Sequence, residues 1–298
     1  MDILLNIKAF LATAQTGSFS AAARQIGVAP SVITKRVGQL EWRVRSQLFE
    51  RTTRKVTLTE AGEKYMPKLR LLMMDFDDTL SGIATDSGSL AGHIRVKVPT
   101  TIGLLYVGKI LIAFQQNNPR ISVEVVLMDR SVNPIEEGFD IAIGALTASY
   151  ANAVDEPLCA YPRMLCASPA YIARKGRPEH PTDLVNHDCL VFLPTGSLWS
   201  FDSSRGAIQV GVATTFGAND GQLLLAAAHA GLGITILAKH IVKPLIQSGE
   251  LVPLLENFPL SDLWLKALVP INRVNVPHVQ ALLLWLKLQL SPIPPWEH

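Results

Sequence analysis

At 298 residues, with 48% apolar and 17% charged side chains, the chain is long and apolar enough for two or three folded domains and too apolar to be disordered. No apolar run reaches the roughly 18 residues of a membrane span, and Met1-Asp2 opens directly into an amphipathic helix with no export signal before it, so a cytoplasmic protein is expected. The formal charge of +2 hides a split: residues 1–64 hold 10 Lys/Arg against 5 Asp/Glu, and the other 234 hold 17 against 20. A basic first fifth is the electrostatic footprint of a phosphate-binding module.

A short helix is predicted from Phe19, where Ala21, Ala22 and Ala23 are small enough to let a second helix cross closely. Gly27 suits a tight turn, and Pro30-Ser31 opens the second helix at once. Within it Ile33, Val37 and Leu40 recur at helical spacing and face inward, leaving Thr34, Lys35 and Gly38 outside. An outer face of hydroxyl and basic groups suits a DNA major groove, although an ordinary helical pair in a core gives the same short pattern. The segment from Leu48 then leads through a polar, basic tip, Thr52–Lys55, into Val56-Thr57-Leu58. Two short strands around such a tip read as a wing.

The run FLATAQTGSFSAAARQIGVAPSVITKRVGQLE followed by LFERTTRKVTLTEAG resembles the winged helix-turn-helix of LysR-type transcriptional regulators. The resemblance implies a DNA-binding domain over residues 1–58, with double-stranded operator DNA as the partner. Ser31, Thr34 and Lys35 become candidates for base-edge contacts, and Arg36 for phosphate or base. Arg51, Thr53, Arg54 and Lys55 would touch the backbone or the adjacent minor groove. Arg45 stands where the family usually places glycine, so Arg45-Ser46 is expected to extend or loosen the end of the recognition helix.

From Thr59 to about Thr85 the pattern is helical, capped by Thr59, with Glu60 and Glu63 at the positive end of the dipole and a slight kink expected at Pro67. Tyr65, Leu69, Leu72, Phe76, Leu80 and Ile83 form one apolar seam. Pairing with the same helix of a second subunit buries such a seam, and packing on the chain's own C-terminal domain is the alternative. Asp86–Ser89 reads as a hinge, so residues 59–88 form a linker and dimerisation unit.

Beyond it, strands alternate with helices: Ile94–Val98, a helix to Gln116, Ile121–Leu127, Phe139–Gly144, Met164–Ala167, Leu190–Leu193, Gly211–Thr215, a helix at 220–230, Ile234–Leu237, Leu263–Val269 and a final helix Val276–Leu290. This predicts an α/β domain with mostly parallel sheet. GHIRVKVPTTIG, FDIAIG, CASPAYIARKGRP and AAAHAGLGITIL resemble, in order, the LysR effector domain. The fold class implied is α/β overall: winged helix-turn-helix, long linker helix, and a two-lobed effector domain over 89–298 akin to periplasmic solute-binding proteins. Lobe I would hold about 89–162 and 268–298, and lobe II about 163–267.

In such folds ligands sit where strand ends and helix N-termini converge. The hydroxyls and N–H groups of Thr100 and Thr101 suit helix capping or a ligand carboxylate, and the two are compatible. By the resemblance Gly144, Leu146, Phe192, Asn219 and Asp220 line the other walls. Gly144 replaces a basic residue that some members place nearby, which points away from a strongly charged anion. The expected effector is thus a carboxylate or an aromatic metabolite, and the expected assembly a dimer of dimers.

No enzyme, metal or cofactor is expected. Gly231 and Gly233 make a lone GxG before a strand, the seven histidines show no HxxxH or HExxH spacing, and GxSxG is absent. Cys159, Cys166 and Cys189 form no CxxC pair and read as reduced, buried small hydrophobes. An effector-independent architectural DNA-binding protein is the remaining alternative.

Overall fold

The computed structural model describes residues 2–51, 56–84, 90–204 and 206–297. The expected wing tip, Thr52–Lys55, and the hinge, Asp86–Ser89, lie outside them.

Helices α1 (Ile3–Thr16), α2 (Phe19–Ile26) and α3 (Pro30–Val44) pack around Phe10, Ile33, Val37 and Leu40. Ala22 and Ala23 are buried at the crossing, as their size requires. Gly27 ends α2 at φ +76°, a conformation costly for any residue with a Cβ. Strands β1 (Phe49–Arg51) and β2 (Val56–Leu58) pair antiparallel, with Phe49 packed against Phe10 and Phe19 at ring distances of 5.3 and 5.8 Å. The expected loosening after α3 is corrected. Arg45 itself takes the left-handed conformation, at φ 53° and ψ 36°, and its N–H donates back to Glu41 and Trp42. The helix therefore ends where a glycine would have ended it.

Helix α4 (Glu60–Ala84) begins where Thr59 Oγ1 accepts from the Gly62 N–H at 3.1 Å. Leu71 and Met73 are buried, whereas Tyr65, Leu72, Phe76 and Leu80 of the seam remain exposed. Leu69 is half-buried against the helix-turn-helix core, and the Ile83 side chain lies outside the described residues. Asp75 anchors α4 to the rest of the chain: the Arg273 guanidinium and the Asn272 amide both donate to its carboxylate. Arg273 is fully buried and also donates to Asp140 at 2.6 Å.

The remainder forms two lobes, each built on a five-stranded sheet. The first contains β3 (Gly92–Val98), β4 (Ile121–Leu127), β5 (Ile141–Gly144), β6 (Ala153–Ala160) and, from far along the chain, β14 (Trp264–Pro270). Helix α5 (Thr100–Ile102), a π-helical turn at Gly103–Val107 and α6 (Gly108–Asn117) cover it together with α11 (Pro277–Leu290), and the short α7 (Pro134–Glu137) packs against α4. The second contains β7 (Arg163–Ala167), β8 (Cys189–Phe192), β11 (Thr214–Ala218), β12 (Ile234–Ala238) and β13 (Val252–Leu254). Helices α8 (Pro169–Lys175), α9 (Gly221–His229) and α10 (Lys239–Gln247) complete it, with a separate hairpin of β9 (Leu198–Phe201) and β10 (Ile208–Gly211).

Several expectations shift. The sheets are mixed: each has two parallel and two antiparallel pairings, because strands that cross between lobes run against the others. The return to lobe I begins at Trp264, hydrogen-bonded in register with Ala160, not at 268. The expected strand Gly211–Thr215 is two strands from different sheets, parted at Val212-Ala213. Strand β6 went unread because its half-exposed run carries Asp155, Glu156 and Pro157, and α10 because it follows β12 without a break and contains Pro244.

The C-terminal segment places the buried Trp296 in a ring cluster with Tyr106, Tyr161 and His240. Its ring lies 5.2 Å from Tyr106 of lobe I and 5.1 Å from His240 of lobe II, between centroids. Neither ring nitrogen of His240 has a hydrogen-bond partner among the described residues, and burial holds its pKa down at about 4.

Candidate DNA-reading face and interlobe cavity

On α3 the buried stripe fixes which side chains look outward. Ser31, Thr34 and Lys35 are exposed and share the outer face of the helix's first two turns, and Arg36, half-buried, flanks it beside the buried stripe. The Thr34 hydroxyl donates to the Pro30 carbonyl at 3.1 Å, leaving its oxygen lone pairs and methyl group to meet a partner. Arg51 has its backbone in β1, and its side chain lies outside the described residues, as do Thr53, Arg54 and Lys55. Glu41 carries structural weight that its sequence position did not suggest. Its carboxylate accepts from the N–H groups of Leu48 and Phe49, at 2.9 and 3.2 Å, which locks the recognition helix to the start of the wing.

A cavity of about 810 Å³ opens between the two lobes. Of the residues read as effector contacts, Thr101, Gly144, Leu146 and Phe192 line it. Thr100, Asn219 and Asp220 do not. The Thr100 N–H is already taken by Asp129 Oδ1 at 3.0 Å, so the helix N-terminus expected to receive a ligand carboxylate receives one from the chain itself. Asp220 caps α9 through Gln222 and Leu223, and its other oxygen accepts from Thr101 Oγ1 at 3.4 Å. That bond spans the cleft from lobe I to lobe II.

Two cations missed from the sequence reach the cavity wall, Lys97 and Arg163. Lys97 lies near the C-terminal end of β3 and is only 3% exposed, with Nζ donating to the Ile143 carbonyl at 3.1 Å. Burial pushes its pKa down to about 8, with Asp129 pulling in the opposite sense. An alternating Ile94-Arg95-Val96-Lys97-Val98 reads as a strand with polar residues in solvent. The available signal was position: a lysine one residue before the end of a strand in an α/β domain sits at the ligand-binding edge. The acids on the same wall are Asp129 and Asp262, and the rest is mostly apolar, including Ile102, Tyr161, Trp199 and Leu237.

The three cysteines are buried and free, with their thiols pushed up to about 12 by burial, so none is a ready thiolate. No group of three or more His, Cys, Asp or Glu side chains suited to a metal occurs among the described residues. No helix among them is long and apolar enough to cross a membrane.

Comparison with known proteins agrees with this architecture. Residues 4–63 match the bacterial regulatory helix-turn-helix family of LysR type, and residues 87–291 match the LysR substrate binding domain. An uncharacterised helix-turn-helix transcriptional regulator of Haemophilus influenzae is 30% identical, over 93% of this chain and 96% of its own length. CrgA, a LysR-type transcriptional regulator from Neisseria meningitidis, has a solved structure that superposes with a TM-score of 0.56 at 25% identity, covering 95% of this chain and 97% of that one. The Vibrio cholerae virulence activator AphB shares the fold at 22% identity, with a TM-score of 0.60 over 95% of this chain and 99% of its own. The chain therefore belongs to the LysR family of transcriptional regulators, proteins that pair a helix-turn-helix with a substrate-binding regulatory domain.

Proposed function

We propose that this chain is a sequence-specific regulator whose residues 1–58 read an operator, whose residues 59–88 link and dimerise, and whose residues 89–298 sense a small-molecule effector in the interlobe cavity. The carrying observation is the pairing, in one chain, of an exposed Ser31-Thr34-Lys35 face with a cavity of about 810 Å³. An architectural DNA-binding protein has no use for such a cavity. The exposed Tyr65, Leu72, Phe76 and Leu80 on α4 support a dimer through this helix, and operator half-sites read by paired recognition helices need one. Two such dimers make the tetramer. Effector binding shifts the population between lobe arrangements, and through α4 the spacing of the DNA-reading helices. Asp75 and Arg273 supply the mechanical link between lobe I and α4.

Ser31, Thr34 and Lys35 would read base edges, with Arg36 on base or phosphate, while Arg51, Thr53, Arg54 and Lys55 hold the backbone. The test is a pair of variants titrated on operator and random DNA. Lys35→Ala should remove about 1–3 kcal/mol of discrimination. Arg54→Ala should weaken binding to both DNAs and flatten the salt dependence. Equal losses on both DNAs for Lys35→Ala would overturn the base-reading role.

A further inference from the structure

Lys97 is an ammonium group placed where an ammonium group is expensive. It is almost wholly buried, and its one hydrogen bond among the described residues, to the Ile143 carbonyl, leaves two of its three N–H donors without a partner there. No carboxylate among the described residues forms an ion pair with it. Beside it the sheet is left bare: a Cβ added at Gly144 would stand 3.7 Å from Nζ, in otherwise open space facing the cavity. Arg163 on the same wall spends Nη2 on the Ser261 carbonyl at 3.1 Å, while its buried Nε has no partner among the described residues.

Each of these groups is incompletely satisfied, and both line one cavity. We propose that the cavity takes a monocarboxylate with an apolar body, its carboxylate seated on Lys97 Nζ in the gap left by Gly144. This deepens the effector reading above and rests on it. The charge balance selects the class. Lys97 and Arg163 are offset on the wall by Asp129 and Asp262, so a ligand carrying two or more negative charges would be repelled once the cations are neutralised. The rest of the wall is mostly apolar, with Ile102, Leu146, Phe192 and Trp199 among its residues, which suits an aliphatic or aromatic remainder. The absence of a basic residue at 144 thus does not leave the cavity without a cation, because the neighbouring strand supplies one.

The experiment is calorimetric titration of full-length protein with 3-phenylpropionate and, as its uncharged isostere, 3-phenylpropionamide. Wild type, Lys97→Met and Gly144→Val are compared. The proposal expects the acid to bind at least tenfold more tightly than the amide, Lys97→Met to bring the acid down to the level of the amide, and Gly144→Val to weaken the acid by occupying the space beside Nζ. Equal binding of acid and amide, unaltered by Lys97→Met, would overturn the anion assignment while leaving the cavity as the effector site. Binding of neither compound would count against both. Should Lys97→Met fail to give a cooperative melt, Lys97→Gln and Gly144→Val carry the same comparison.

Discussion

Arg45 shows how a departure in sequence can leave a shape unchanged at an energetic cost. A residue with a Cβ in the left-handed region is disfavoured by about 1–2 kcal/mol. Glycine there would relieve this but would gain freedom in the unfolded chain. Arg45→Gly should therefore raise stability by a net amount of about 0.5–1 kcal/mol, read as a higher denaturant midpoint with operator affinity retained. A lower midpoint would mean that the arginine side chain makes a compensating contact. Lys97 carries a larger penalty with a defined pH window. The unfolded chain holds this proton up to its ordinary value near 10.5, whereas the folded chain releases it at about 8. The folded state therefore bears the full penalty below pH 8, and stability from this group rises as pH climbs from 8 toward 10.5. Lys97→Met should gain up to about 3 kcal/mol at pH 7, and its advantage over wild type should shrink at pH 10. An advantage that stays constant with pH would exclude titration as its source.

At the scale of elements, the joint between wing and linker is the tightest point in the DNA-binding half. A Cβ on Gly62 would lie 2.3 Å from the Leu48 carbonyl oxygen, a backbone atom that the Glu41 carboxylate helps to hold in place. Gly62→Ala should thus push α4 away from the wing and destabilise the protein by about 1–3 kcal/mol, measured by urea unfolding. A neutral result would show that this joint yields freely. The helix-turn-helix could be read from sequence because its signals are local: Ala22 and Ala23 at a crossing, Gly27 at a turn, and Ile33, Val37 and Leu40 on one stripe. Strand β6 could not, since its identity comes from pairing with β14 about a hundred residues away and not from any alternation of its own. The two faces of α4 were only half readable. The seam was evident, but the burial of Leu71 and Met73, two residues apart and so on different sides of the helix, follows no helical stripe.

Taken whole, the molecule joins a DNA-reading helix-turn-helix to a pair of lobes that enclose a cavity through one long helix, α4, and communication between them requires an effector that favours one arrangement over another. The cavity itself was only partly foreseeable. Thr101, Gly144, Leu146 and Phe192 sit at strand ends that a two-lobed fold brings together, and they line it. Thr100 does not, because Asp129, after the next strand, reaches its N–H first. Lys97 was hidden by an alternation that places a lysine in solvent on a sheet with one open face, whereas this sheet is covered on both sides there. The most direct test of the central claim is fluorescence anisotropy of full-length protein on the promoter fragment beside its own gene, across a salt series, against random DNA of equal length. A regulator should bind that fragment preferentially, with affinity falling steeply as salt rises. Folded protein that binds neither DNA at low salt would contradict the account.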